Sequence, residues 1–249
     1  MASSHFTHYA HGMKNFTTLS LFSPLDIAAV TLLFAAWIVI GWRIENPGNR
    51  LSVSVLMVEY RREWMRQMAL RDPRIFDSQA LANLRQGTSF FTSATMIAIG
   101  GAIALIGNAE RLQGLADDLT LTREPTVVWE VKLLVTMVFL ANAFLKFVWS
   151  HRLFGYCFVL MAAVPHDRTD PRCTPRATKT AEINITAARS FNRGLRSIYF
   201  ALGSTAWLLG SVALIVTTLV TVLVLWRREF ASQSRSVLLA TDDTINTHT

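Results

Sequence analysis

Apolar residues fall in four long blocks separated by polar, arginine-rich connections. The first runs from Ile27 to Trp42, with Asp26 before it and Arg43 after it. The second covers about 88–107, the third Val127–Trp149, and the fourth Tyr199–Trp226, which carries no charged residue. Each approaches or exceeds the roughly 20 residues that an α-helix needs to cross about 30 Å of hydrocarbon. None alternates with the period of two that a spanning β-strand requires, and four such lengths in one chain argue against buried helices of a soluble protein. The expected fold is therefore all-α, an integral membrane four-helix bundle with spans near 25–43, 88–108, 127–150 and 199–226. A tail of residues 1–24 precedes the 25–230 domain and a polar tail of 231–249 follows it. The first block has no basic run before it and no small-residue cleavage site after it, so it reads as a retained span rather than a signal peptide.

The connections have patterns of their own. Val53, Leu56, Met57, Tyr60, Trp64 and Met68 recur at three- and four-residue steps. They predict an amphipathic helix lying along the interface, its apolar stripe in lipid and its arginines snorkelling. The second long connection continues the third span through His151–Cys157, breaks at Pro165, Pro171 and Pro175, and resumes as a helix from about Ala177. Arg189, Arg193 and Arg196 then share one helical face.

Charge sets the orientation. Residues 43–87 hold eight Lys or Arg, 151–198 another eight, and 109–126 only two. By the positive-inside rule the first and third connections are cytoplasmic. Both termini are then expected outside, in a bacterial inner membrane, although Arg227 and Arg228 point the other way. The net charge of +7 is explained by basic residues facing anionic headgroups, with Arg61, Arg62, Arg66, Arg189, Arg193 and Arg196 as the expected contacts. No nucleic-acid module accompanies them, so no nucleic-acid partner is expected.

Candidate chemistry is thin. Ionisable and polar groups inside a membrane are functional candidates because burying them there is costly. Here they are Glu130, Lys132, Asn142 and Ser93, with Lys132 within snorkelling reach of the outer surface. Ser89, Thr92, Ser93 and Thr95 could bond to Asn142 across a helix pair. His5, His8 and His11 form a weak candidate metal run in the N-terminal tail, and otherwise no metal site is read. Two cysteines, Cys157 and Cys173, make neither a disulfide framework nor a multi-cysteine zinc site. No phosphate-cradling glycine loop, nucleophile elbow or His-Glu-x-x-His motif is present, so neither catalytic residues nor a cofactor are implied.

Ordered blocks carry a resemblance. Arg71-Asp-Pro-Arg-Ile-Phe-Asp-Ser-Gln79 leads through Leu84, Gly87 and Ser89-Phe-Phe-Thr-Ser93 to Ile99-Gly-Gly101. Lys132-Leu133, Phe144-x-Lys-Phe147, His151-Arg152 and Tyr156 follow, then Asn192-Arg-Gly-Leu-Arg-Ser-Ile-Tyr-Phe-Ala201 and Trp207-Leu-Leu-Gly210. Over roughly residues 25–230 the chain resembles a family of bacterial and plant four-helix membrane proteins known as domain of unknown function 599. Members commonly begin the first span with an aspartate, matched by Asp26. A Tyr-His pair often closes that span, where this chain has Gly41-Trp42-Arg43. The resemblance implies an integral inner-membrane protein and no reaction.

Three readings of function follow. The first is a non-enzymatic membrane protein, self-associating or an accessory or structural subunit of a larger complex. Its support is the small-residue faces Ala94, Ala98, Ala102 and Gly203, Ala206, Gly210, Ala213, which let helices approach closely in lipid. The second is an oligomeric small-solute or ion transporter or channel lined by Glu130, Lys132, Asn142 and the Ser/Thr stripe of the second span, Ser89, Thr92, Ser93 and Thr95. The third is a lipid-interface enzyme using Asp72, Asp77, Arg85 and Arg193.

Overall fold

The computed structural model describes residues 21–46, 48–110 and 125–240, and every regular element in them is helical. In chain order these are α1 Pro24–Glu45, α2 Val53–Ala69, α3 Ile75–Ile106, α4 Thr126–Ala162, α5 Cys173–Ser204, a 3₁₀ turn Thr205–Leu209, α6 Ser211–Phe230 and α7 Gln233–Leu239. Helix α1 starts where the sequence supplies a capping box: the Ser23 hydroxyl accepts from the Asp26 backbone N–H, and the Asp26 carboxylate accepts from the Ser23 backbone N–H, with Pro24 in the first turn. At the start of α2 the Ser52 hydroxyl alone makes the cap, accepting from the Val55 N–H.

Four stretches are long and apolar enough to cross a membrane: α1, α3, α4 and Ser211–Leu239, which contains α6. Only 11–33% of the residues in their apolar windows are buried within the chain. Their remaining oily surface faces outward, which water does not tolerate on this scale and a bilayer does. The protein is a multi-pass membrane bundle.

Helix α3 has 32 residues and α4 has 37, about 48 and 55 Å at 1.5 Å per residue. Both outreach the hydrocarbon. The excess lies on the arginine-rich side, where the start of α3, the end of α4, the start of α5 and α2 enclose a second core of Met65, Met68, Leu81, Leu153, Phe154, Cys157 and Met161. The amphipathic helix expected between the first two spans is therefore present as α2, but Met65, Met68 and Ala69 are buried against protein rather than lipid. The membrane-level core is aromatic. Phe139 of α4 lies 5.1 Å from Phe34, 5.4 Å from Trp37 and 6.1 Å from Phe200.

The seam between α4 and α5 joins both cores. Antiparallel pairs run along it: Thr136 with Ser204 at 2.8 Å, Asn142 Nδ2 to Ser197 Oγ at 2.6 Å, Ser190 Oγ to the Lys146 carbonyl at 3.1 Å, and Ser150 Oγ to the Ala187 carbonyl at 2.8 Å. Gly194 makes the closest approach possible, because a Cβ there would lie 2.6 Å from Phe147 Cε1.

The stretch 199–226, expected as one span, is two elements. Helix α5 continues through Phe200 and Ala201 into the membrane-level core, ends at Ser204, and the 3₁₀ turn leads to Gly210 at φ 114°. That left-handed backbone, which side-chain-bearing residues rarely adopt, lets the chain reverse. Helix α6 returns beside α1 and parallel to it. Ser211 at its start bonds Asp26 at the start of α1, and Phe230 at its end faces Arg43 near the end of α1. Thr217 Oγ1 then bonds the Gly203 carbonyl at 2.9 Å across the reversal. Five helical segments thus fill the membrane-level depth, with the last third of α5 the one that length and mean hydropathy do not mark. The start of α1 and the end of α6 lie at opposite ends of the bundle.

Replacing Gly194 with Ala forces a methyl into Phe147, which is itself held between Phe91 and Phe191 at 5.4 Å from each. The expected cost is about 1–3 kcal/mol. Gly155→Ala meets nothing within 4 Å and improves helix propensity. Thermal unfolding in detergent should show a lower melting temperature for G194A and an unchanged or higher one for G155A.

Candidate anion-binding site

A carboxylate at the end of a helix sits against the negative pole of the helix dipole and needs compensation. Glu45, the last residue of α1, receives it from α5. Arg193 Nε donates to both Glu45 oxygens at 2.9 and 3.1 Å, Arg193 Nη2 donates to Oε2, and Arg196 Nη2 donates to Oε1. The Arg196 side chain is 8% exposed and that of Glu45 18%, whereas Arg193 reaches the surface. The i and i+3 spacing of the two arginines places both on the face that meets α1.

Cavities lie on both sides of this cluster. A chamber of about 300 Å³ opens between α2, α5 and α6, lined by Arg61, Arg189, Arg196 and Arg228 together with Glu45 and Glu229. Four guanidiniums face two carboxylates. Glu229 is already engaged at the start of α2, accepting from the Ser54 N–H at 3.0 Å and its hydroxyl at 2.9 Å. Arg61 is half-buried and its one side-chain hydrogen bond runs to the neutral Asn184 Oδ1. Burial lowers its pKa from the usual value, because desolvation disfavours the charged form. Arg189 has no carboxylate within ion-pair distance among the described residues. The second cavity, about 440 Å³, is a lateral cleft between α1 and the α4–α5 seam, with Trp37, Ile38, Gly41 and Trp42 on one wall and Asn142, Lys146, Arg193 and Arg196 on the other. Glu45 and Arg196 line both spaces.

Of the expected anionic contacts, Arg61, Arg189 and Arg196 meet at the chamber and Arg193 at the cleft. Arg62 pairs with Glu59 and Glu182, and Arg66 with Glu63, on exposed surface. The polar intramembrane candidates do not converge. Asn142 bonds Ser197 rather than α3, Ser93 is exposed, and the hydroxyls of Thr88, Thr92 and Thr95 bond carbonyls of their own helix. Glu130 is half-buried on α4. Lys132 does not reach the surface. It is 2% exposed, with its ammonium 5.4 Å from the Trp129 ring and 5.9 Å from that of Trp207, a cation–π setting that replaces snorkelling.

The set proposed for lipid chemistry is also dispersed. Asp77 is fully buried at the start of α3 and accepts from Trp64 Nε1 at 2.8 Å and Arg71 Nη1 at 2.6 Å. Asp72 faces His166 at 3.7 Å, and Arg85 lies in a separate groove beside His151. His5, His8 and His11 lie outside the described residues. No group of three or more metal-ligating side chains occurs among the described ones.

Sequence reasoning missed Glu45 and Asn184. The signal for Glu45 was available: an acid directly after a span and Arg43, at the helix end where its charge is unfavourable. Asn184 gave none, since an amide in a polar helix is ordinary.

The family described as "Protein of unknown function, DUF599" matches residues 28–234, most of the chain and all the elements that build the cavities. Neither the curated proteins nor the solved structures contain a significant match. The chain belongs to the DUF599 family.

Proposed function

We propose that this protein is a non-enzymatic, multi-pass membrane protein that holds an anionic group in the arginine-lined chamber, as a binding or accessory subunit of a membrane assembly. One observation carries the reading: the half-buried Arg61 guanidinium lines the chamber, and its side-chain hydrogen bond among the described residues runs to a neutral amide. A charge left in that position is costly unless an anion completes it. Ala94 and Ala98, exposed on α3, form a small-residue face of the kind that lets membrane helices approach closely, which supports association with further helices.

The positive-inside rule favours the chamber end in the cytoplasm. Arg227 and Arg228 at the end of α6 then lie on that same side, in agreement with the rule rather than against it. The start of α1 is extracytoplasmic in this orientation and the end of α6 cytoplasmic, which replaces the earlier expectation of both termini outside.

Two tests follow. Inorganic phosphate or citrate should raise the melting temperature of the detergent-solubilised protein, and Arg61→Gln should abolish most of that rise without lowering the ligand-free value. A melting temperature that neither anion raises would refute the chamber. In right-side-out vesicles an N-terminal epitope tag should be cleaved by added protease and a C-terminal tag protected; equal accessibility of the two would contradict the orientation.

A further inference from the structure

We propose that the lateral cleft between α1 and the α4–α5 seam is a site for the headgroup of an anionic phospholipid, entered from the bilayer. The site is distinct from the chamber and does not depend on its ligand.

Charge makes the first argument. Lys146, Arg193 and Arg196 line the cleft and Glu45 is the one carboxylate there. That carboxylate is shared by the two arginines. The Lys146 side chain is half-buried on a membrane-spanning helix, and among the described residues its ammonium has neither a hydrogen bond nor an ion pair. Three cations against one acid at this depth leave an excess that hydrocarbon does not solvate. A phosphodiester supplies the missing negative charge and accepts several charge-assisted hydrogen bonds at once.

Shape makes the second. Ile38 and Trp42 form an apolar wall on the outward side of α1, 62% and 64% exposed, and Trp37 closes the floor of the cleft where it packs on Phe139. A free ion gains nothing from such a wall, whereas acyl chains cover it while the headgroup meets the basic side. Gly41 stands between the two. A Cβ at this position would lie 3.9 Å from Arg196 Nε, so the absence of a side chain keeps the guanidinium open to the cleft. The volume of about 440 Å³ falls within the range of small-molecule sites, about 300–1,000 Å³.

The test uses the full chain in nanodiscs of phosphatidylcholine, with brominated phosphatidylglycerol or brominated phosphatidylcholine as the minor lipid, and reads quenching of tryptophan fluorescence. Wild-type protein should prefer phosphatidylglycerol by about five-fold, the factor expected for one cation beside an anionic headgroup. Lys146→Gln should lose most of that preference and Lys146→Arg should keep it. Gly41→Leu, which changes no charge, should lose it by filling the mouth, while Arg61→Gln in the chamber should leave it intact. Equal quenching by the two lipids in wild type, or a preference that survives both K146Q and G41L, overturns the proposal. Displacement of the lipid by millimolar inorganic phosphate overturns the lipid as the source and assigns the cleft to a free anion.

Discussion

Glu45 is the acid on which the arginine-rich end is organised. It fixes the C-terminal end of α1 to α5 through two guanidiniums, and neither partner is stable in that place alone. Unpaired, the carboxylate would oppose its own helix dipole, and Arg196 would be a buried cation at the edge of hydrocarbon. Joined, they form a polar partition with a cavity on each side. The partition itself keeps one net positive charge, two guanidiniums against one carboxylate, and the basic residues beyond it outnumber the acids, so both cavities are electropositive.

This partition holds only because α5 is placed accurately, and that placement comes from α4. Hydroxyl and amide pairs recur along the seam from Thr136–Ser204 to Ser150–Ala187, and Gly194 allows Phe147 to seat directly on the α5 backbone. Each bond is worth little in lipid, about 0.6 kcal/mol on average. Together they set register, and register decides which face of α5 presents Arg193 and Arg196 to α1. The reversal at Gly210 then returns α6 alongside α1, where Arg43 stacks over Phe230 at 5.1 Å and Glu229 reaches the start of α2.

The spans were legible because lipid imposes a length of continuous apolar sequence that few other environments demand. The arginine face of α5 was legible from its i, i+4 and i+7 spacing. The division of 199–226 was not, because its turn is built from Trp207, Leu208 and Leu209, as oily as the helices it joins, and a lone Gly210 reads equally well as a packing residue. For the same reason the last third of α5 escaped notice as a pass: it belongs to a helix whose first two-thirds are polar. The polar candidates Glu130, Lys132, Asn142 and Ser93 are not brought together within one chain. Sequence gives the depth of each residue but not the direction it faces, and Asn142 turns toward Ser197 while Ser93 turns outward.

A double-mutant cycle on Glu45→Gln and Arg196→Gln, read by reversible unfolding in mixed micelles, tests the partition most directly. The structure calls for a coupling of about 0.5–3 kcal/mol, the range for groups in direct contact, so that the double mutant is less damaged than the sum of the two single ones. Additive losses within about 0.5 kcal/mol would mean that the two side chains stand independently and that the arginine-rich end is organised by something else.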